Sequence, residues 1–180
     1  MSDSNLIKKQ RNINLITQAE KEAREIIEKC KKHQKKIALA ESCTAGFISG
    51  FLADIDGASS VLWGSFVCYT KEAKMKMLDL NGNELDKYGL VSKETASSMA
   101  LGALEKSGAG LAASVTGLAG PNGDGSDTPV GTVWIAAASP EGVEPVKFFF
   151  EGQRNDVRLK AVIAAMEMIH KTVDKLIENR

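Results

Sequence analysis

The sequence predicts a single-domain α/β/α sandwich built on a mixed sheet. Three observations carry that expectation. Short apolar runs alternate with helical patterns, as they do when helices cover both faces of a sheet. The last two runs, 130–138 and 146–150, follow one another across a turn at Pro140-Glu141-Gly142, which makes part of the sheet antiparallel. The length, 180 residues, suits one ordinary domain.

The elements follow in order. Residues 1–12 are polar and read as a frayed extension, with the domain spanning 13–180. Ile16, Ala19, Ala23, Ile26, Ile27 and Cys30 recur at three- and four-residue spacing and predict a helix over 13–33. It ends among Lys29, Lys31, Lys32, Lys35 and Lys36, cations suited to the negative end of the helix dipole. Residues 37–40 read as a buried strand, 41–46 as a turn, and Phe47, Ile48, Phe51 and Leu52 mark a second helix. Residues 60–69 are rich in strand formers. Thr70 is placed to cap a helix over 71–78, and Ser92 another over 93–107. A small-residue strand at 111–115 empties into a glycine-rich loop over 116–125. Asn155 is placed to cap a long terminal helix with Leu159, Val162, Ile163, Met166, Ile169, Val173 and Leu176 on one face.

Composition narrows the function classes. Lys+Arg and Asp+Glu both number 23, so the chain lacks the basic excess of a general nucleic-acid binder. No run approaches the roughly 20 apolar residues needed to cross a membrane. The first residues carry no apolar stretch of the secretory kind, and a cytoplasmic location is expected. The three cysteines, Cys30, Cys43 and Cys68, are odd in number and form no C-x-x-C. A disulfide framework or zinc site is therefore not expected; no His/Cys/carboxylate cluster has metal-ligand spacing, and no cofactor is expected.

Three strand ends carry unusual polar or glycine residues: 41–46, 69–74 and 116–125. Ligands of open α/β sheets bind beyond the carboxyl ends of strands, so three neighbouring ends would make one site. Ser42 lies between a strand and a helix. It reads either as a helix cap or as a nucleophile whose oxyanion meets the N–H groups of Cys43, Thr44 and Ala45. A serine needs a base, and His33 and His170 both read as structural. Lysine and tyrosine remain. Lys74, near the start of a helix, can reach back towards Tyr69, and Lys71 competes with it. Cys43 is a rival nucleophile, because a helix start lowers a thiol pKa. The 116–125 loop matches neither phosphate-binding fingerprint. Arg154 and Arg158 at the start of the last helix suit an anion such as a phosphate.

Six ordered blocks carry a resemblance. They are Ala40-Glu41-Ser42-Cys43-Thr44 with Gly46; Gly57-Ala58-Ser59; Gly64 with Tyr69 and Lys74; Thr116-Gly117-Leu118-Ala119-Gly120-Pro121; Pro129-Val130-Gly131-Thr132-Val133; and Gly152, Arg154, Val157 and Arg158. In this order they resemble the C-terminal domain of the competence/damage-inducible CinA proteins over roughly residues 13–178. Stand-alone members of that family include nicotinamide-nucleotide amidases of the PncC type. The resemblance implies hydrolysis of the carboxamide of nicotinamide mononucleotide, giving nicotinate mononucleotide and ammonia by a serine acyl-enzyme route without cofactor or metal. It implies Ser42 as nucleophile and Tyr69 and Lys74 as activating partners. Cys43, Thr44, Ala45, Gly46, Thr116, Gly117, Gly120 and Arg154 would line the substrate. It also implies that the molybdopterin-binding-like N-terminal domain of full-length members, associated with pyrophosphatase activity, has no counterpart in these residues. The alternative within the family is a catalytically silent nucleotide-binding or interaction protein. Two positions depart from the pattern. Ala45 replaces a usual glycine, with little expected effect at a helix start, and Thr128 replaces a lysine before Pro129, which weakens ligand contacts there. The expected partners are a small nucleotide and a second copy of the chain, with no nucleic acid and no membrane. The dimer is expected from the two amphipathic helices and the resemblance.

Overall fold

The computed structural model describes residues 3–179. In order they form α1 (Asp3–Lys32), β1 (Ile37–Glu41), α2 (Phe47–Ala53), β2 (Leu62–Val67), α3 (Lys71–Leu78), α4 (Gly82–Tyr88), α5 (Lys93–Ser107), β3 (Leu111–Gly117), β4 (Thr132–Ser139), β5 (Gly142–Phe149) and α6 (Arg154–Glu178). The sheet runs β2-β1-β3-β4-β5. β1 is parallel to both β2 and β3, while β4 and β5 are antiparallel additions. This is the α/β/α sandwich with a mixed sheet that the alternation predicts.

Strand alternation divides the interior into two unlike halves. Ile37, Leu39, Leu111, Val115, Val133 and Ile135 point to the layer of α1, α2 and α6, where they meet Ile26, Ile27, Met166 and Ile169. The other face is small: Ala38, Ala40, Ala112, Ala136 and Ala138 lie under α5. Small side chains let α5 approach closely. Ser114 donates across that seam to the carbonyl of Ala96 at 2.6 Å. At Gly102, where α5 crosses the end of α3, a Cβ would stand 2.6 Å from the Leu78 carbonyl oxygen.

Thr70 and Ser92 cap their helices as expected, accepting from the N–H of Ala73 and Thr95. Four readings change, and one helix was not foreseen. The first helix begins at Asp3, so residues 3–12 continue it instead of fraying. β5 starts at Gly142 and runs through Pro145, because an edge strand tolerates a missing N–H. β3 extends to Gly117, which puts Thr116 and Gly117 on the strand end and not in the loop. The terminal helix is capped by Gln153, in a reciprocal capping box with Asp156, and Asn155 falls inside the first turn. Helix α4 had no sequence reading; Asn81 caps it, and it buries only Leu85, too little to show a period.

Candidate active site

Because β2, β1 and β3 are parallel neighbours, their carboxyl ends come together: Glu41 stands opposite both Val67 and Val115. The three segments singled out from the sequence therefore converge. They line a cavity of about 330 Å³ to which Ser42, Tyr69, Lys74, Thr116, Asp124 and Arg154 all contribute. A larger cavity of about 410 Å³ lies between α1, α2 and α6, lined by Ile16, Phe47, Phe51 and Leu159. It offers no nucleophile beside a base, so the smaller one is the candidate active site.

Ser42 and Lys74 are brought together in this cavity. Lys74 Nζ stands 3.0 Å from Ser42 Oγ and donates to the Cys68 carbonyl at 2.7 Å. Lys74 is fully buried, and Ser42 is 8% exposed. No carboxylate among the described residues stands within ion-pair distance of the amine. Burial without a counter-charge disfavours the ammonium and pushes the Lys74 pKa down from 10.5. The free amine is thereby favoured, and at 3.0 Å its lone pair can take the Ser42 proton. Lys71 is not a rival, since its ammonium pairs with Asp86. Cys43 is not one either. Burial outweighs any helix-start effect and pushes its thiol up to about 12, so it stays protonated.

The turn that presents Ser42 is held from two sides. Glu41, fully buried, accepts from the N–H groups of Gly46 and Ile48 through Oε2 and of Ser49 through Oε1, at 3.0–3.1 Å. Ser65 Oγ donates to Oε1 as well. One carboxylate thus satisfies the start of α2 and ties it to β2. On the other side Arg158 donates to the carbonyls of Cys43 and Thr44, and its guanidinium stacks 3.8 Å from the centre of the Phe47 ring. Arg158 is thereby committed to the turn and does not line the cavity, contrary to its reading as an anion ligand. Glu41 had no reading beyond its place in the motif; a lone acid before Ser-Cys-Thr, with a helix to follow, was the available signal.

The remaining expected site residues divide. Tyr69 is 52% exposed and accepts from Arg154 at 2.8 Å, so it stands at the rim with no hydrogen bond to Ser42 or Lys74. Arg154 also donates to the Gly120 carbonyl at 2.6 Å. Thr116 borders the cavity while its hydroxyl donates to the Leu90 carbonyl. Gly117 and Gly120 border it too, but the need for glycine is internal: a Cβ at Gly117 would stand 2.7 Å from the Thr132 carbonyl oxygen, and one at Gly120 2.7 Å from Val130 Cγ1. Thr44 is buried, Ala45 is exposed, and Gly46 faces the larger cavity, so of 43–46 only Cys43 lines the smaller one. The Ala45 amide is consumed by the Ser42 carbonyl at 3.1 Å, which removes it from the expected oxyanion donors. Ala45 itself has φ +52°, a left-handed turn position and not a helix start, which is where the family glycine belongs. His33 and His170 lie away from the cavity. His170 Nε2 is 3.5 Å from Glu22 Oε2, and with Glu25 these side chains gather donor atoms within 4.8 Å of one another, a grouping that wide sequence spacing concealed.

The model of the CinA C-terminal domain family matches residues 19–173. The chain is 41% identical over 137 residues to a CinA-like protein of Syntrophomonas wolfei, covering 76% of this chain and 33% of that protein. It spans about a third of the length of the curated relatives it matches. Among solved structures, the competence/damage inducible protein CihA from Agrobacterium tumefaciens aligns with a TM-score of 0.83 at 38% identity, over 87% of this chain and 96% of that one. A CinA superfamily protein from Escherichia coli aligns with a TM-score of 0.83 at 30% identity, over 86% and 90%. Among the described residues no helix is long and apolar enough to cross a membrane.

Proposed function

We propose, from the premise that the chain belongs to the family of CinA C-terminal domains, that it hydrolyses the carboxamide of nicotinamide mononucleotide to nicotinate mononucleotide and ammonia. The observation that carries this reading is the 3.0 Å contact between the buried, uncompensated Lys74 amine and Ser42 Oγ. Lys74 takes the hydroxyl proton as Ser42 Oγ attacks the carboxamide carbon. The oxyanion that forms meets the N–H group of Cys43, the one residue of 43–46 that lines the cavity. The C–N bond then breaks, and the proton held by Lys74 leaves with ammonia. Water gives a proton to Lys74, attacks the acyl-enzyme and releases the carboxylic acid, returning that proton to Ser42. At the rim, Arg154 presents a cation to the nucleotide phosphate.

Ammonia release from nicotinamide mononucleotide tests this. Wild type releases ammonia, and Ser42→Ala and Lys74→Ala each lose about 10³-fold or more in kcat. A wild type that binds the nucleotide and releases no ammonia refutes the hydrolase reading in favour of a silent binding protein. Activity in Ser42→Ala with none in Cys43→Ala moves the nucleophile.

A further inference from the structure

Six of the eight consecutive backbone amides from Ser42 to Ser49 have acceptors. Ser42 donates to Val115 O, Ala45 to Ser42 O and Phe47 to Thr44 O, while Gly46, Ile48 and Ser49 donate to Glu41. Cys43 and Thr44 are left with no backbone acceptor among the described residues; they follow Ser42 in the chain, and of the two only Cys43 lines the cavity. Their carbonyls are the two that Arg158 holds, Nε to Cys43 O at 3.0 Å and a terminal nitrogen to Thr44 O at 2.8 Å. In a trans peptide the N–H points opposite the C=O. Two charge-assisted bonds to successive carbonyls therefore fix the two peptide units that follow Cys43, and with them the residue that borders the cavity next to Ser42. Phe47 braces the guanidinium, so the fork is held before substrate arrives.

We propose that Arg158 is a positioning residue that, by holding the carbonyls of Cys43 and Thr44, keeps the turn that carries the Ser42 hydroxyl and the Cys43 N–H in its reactive geometry. The proposal rests on the serine-hydrolase reading of the site. Arg158 does not touch the cavity, so its removal acts on the transition state and not on nucleotide binding. A lysine can supply charge and one bond, but not two bonds from a planar fork.

The test compares wild type, Arg158→Lys and Arg158→Met in two assays: steady-state ammonia release, and the rate at which a fluorophosphonate modifies Ser42, read by intact-protein mass. Arg158→Met is expected to lower kcat about 10²-fold with KM within about threefold, and to slow Ser42 phosphonylation by a similar factor. Arg158→Lys recovers part of both rates. If the Met variant does not fold, the Lys variant decides, with phosphonylation about tenfold slower than wild type expected. Equal phosphonylation of wild type and a folded variant overturns the proposal, as does a KM rise that accounts for the whole loss. A wild type that is phosphonylated at Ser42 without releasing ammonia refutes the proposed substrate alone, and the phosphonylation rates still decide the role of Arg158. A wild type that does neither overturns the serine reading and this proposal with it.

Discussion

Two segments leave neighbouring parallel strands at the same end of the sheet, yet they are held very differently. The turn after β1 is tied by a buried glutamate with four donors on one side and by an arginine fork on the other. The segment after β3 is exposed from Pro121 to Asp127, and its side-chain hydrogen bonds there are local, from Ser126 to Asp124 and from the Thr128 amide to Ser126. The first carries the proposed nucleophile and the Cys43 amide, where a displacement of about 1 Å would be costly in rate. The second borders the cavity and has room to adapt to a ligand. The difference teaches where the molecule invests its order: in the groups proposed to react, and less in the groups that surround.

The comparison breaks most completely at Lys74. Lys74→Met removes the base and is expected to abolish ammonia release, by about 10³-fold or more. Stability responds with a definite sign. Burial lowers the Lys74 pKa in the fold, whereas the unfolded chain keeps the ordinary 10.5. Between those two values unfolding takes up a proton, so wild-type stability rises with pH across the window, and its deficit is complete below the folded pKa. The Met variant lacks that slope. Urea unfolding at pH 7 and pH 10 should therefore show the variant gaining on wild type at the lower pH. Equal pH slopes would mean that Lys74 is protonated in the fold.

Next comes Glu41→Gln, aimed at the better-held segment. The amide keeps the shape but turns one acceptor into a donor, leaving at least one of the Gly46, Ile48 and Ser49 amides facing another N–H. A loss of about 3 kcal/mol in unfolding free energy and about 10²-fold in kcat is expected. A variant of unchanged stability would show that the turn does not depend on this carboxylate. In the looser segment Asp124→Ala sets the contrast. Its carboxylate is exposed and held below the usual range by bonds from Ser126, so stability should change by less than about 0.5 kcal/mol and kcat hardly at all, with KM shifting at most a few-fold. A kcat loss as large as that of Glu41→Gln would erase the distinction between the two segments.

How far the sequence reveals this contrast depends on how far apart the interacting residues lie. The caps at Thr70 and Ser92 reach only three residues and were readable, as was the convergence of three strand ends once the strands were placed. The contacts that hold the turn are another matter. Arg158 meets Cys43 across 115 positions, and Arg154 meets Tyr69 across 85, and each pairing depends on α6 crossing the end of the sheet. Composition and spacing carry no such information, which is why Arg158 read as an anion ligand and the Arg154–Tyr69 contact was not foreseen. Gln153 as the cap of α6 was hidden for a smaller reason. Asn155, the stronger capping residue by type, stands two positions on, where the chain is already helical.

A last effect, the one expected gain, sharpens the comparison from inside the held turn. Ala45 adopts φ +52° between the Arg158-bound carbonyl of Thr44 and the Glu41-bound amide of Gly46. A side chain there opposes a conformation that glycine adopts without steric cost. The turn keeps the conformation because its neighbours are tied on both sides, so the strain is stored in the part of the molecule best able to hold it. Ala45→Gly relieves the strain but gives the unfolded chain more freedom, and the two effects oppose each other. A net gain of about 0.5–1 kcal/mol in unfolding free energy is expected, with kcat unchanged within about twofold, because the Ala45 amide already donates to Ser42 O and takes no part in binding an oxyanion. Denaturant unfolding with parallel ammonia assays checks both halves. A destabilised Gly variant would mean that the strain at position 45 is smaller than the entropy that glycine adds to the unfolded chain, and a large fall in kcat would mean that the Ala45 side chain, and not only its neighbours, holds the Cys43 amide in place.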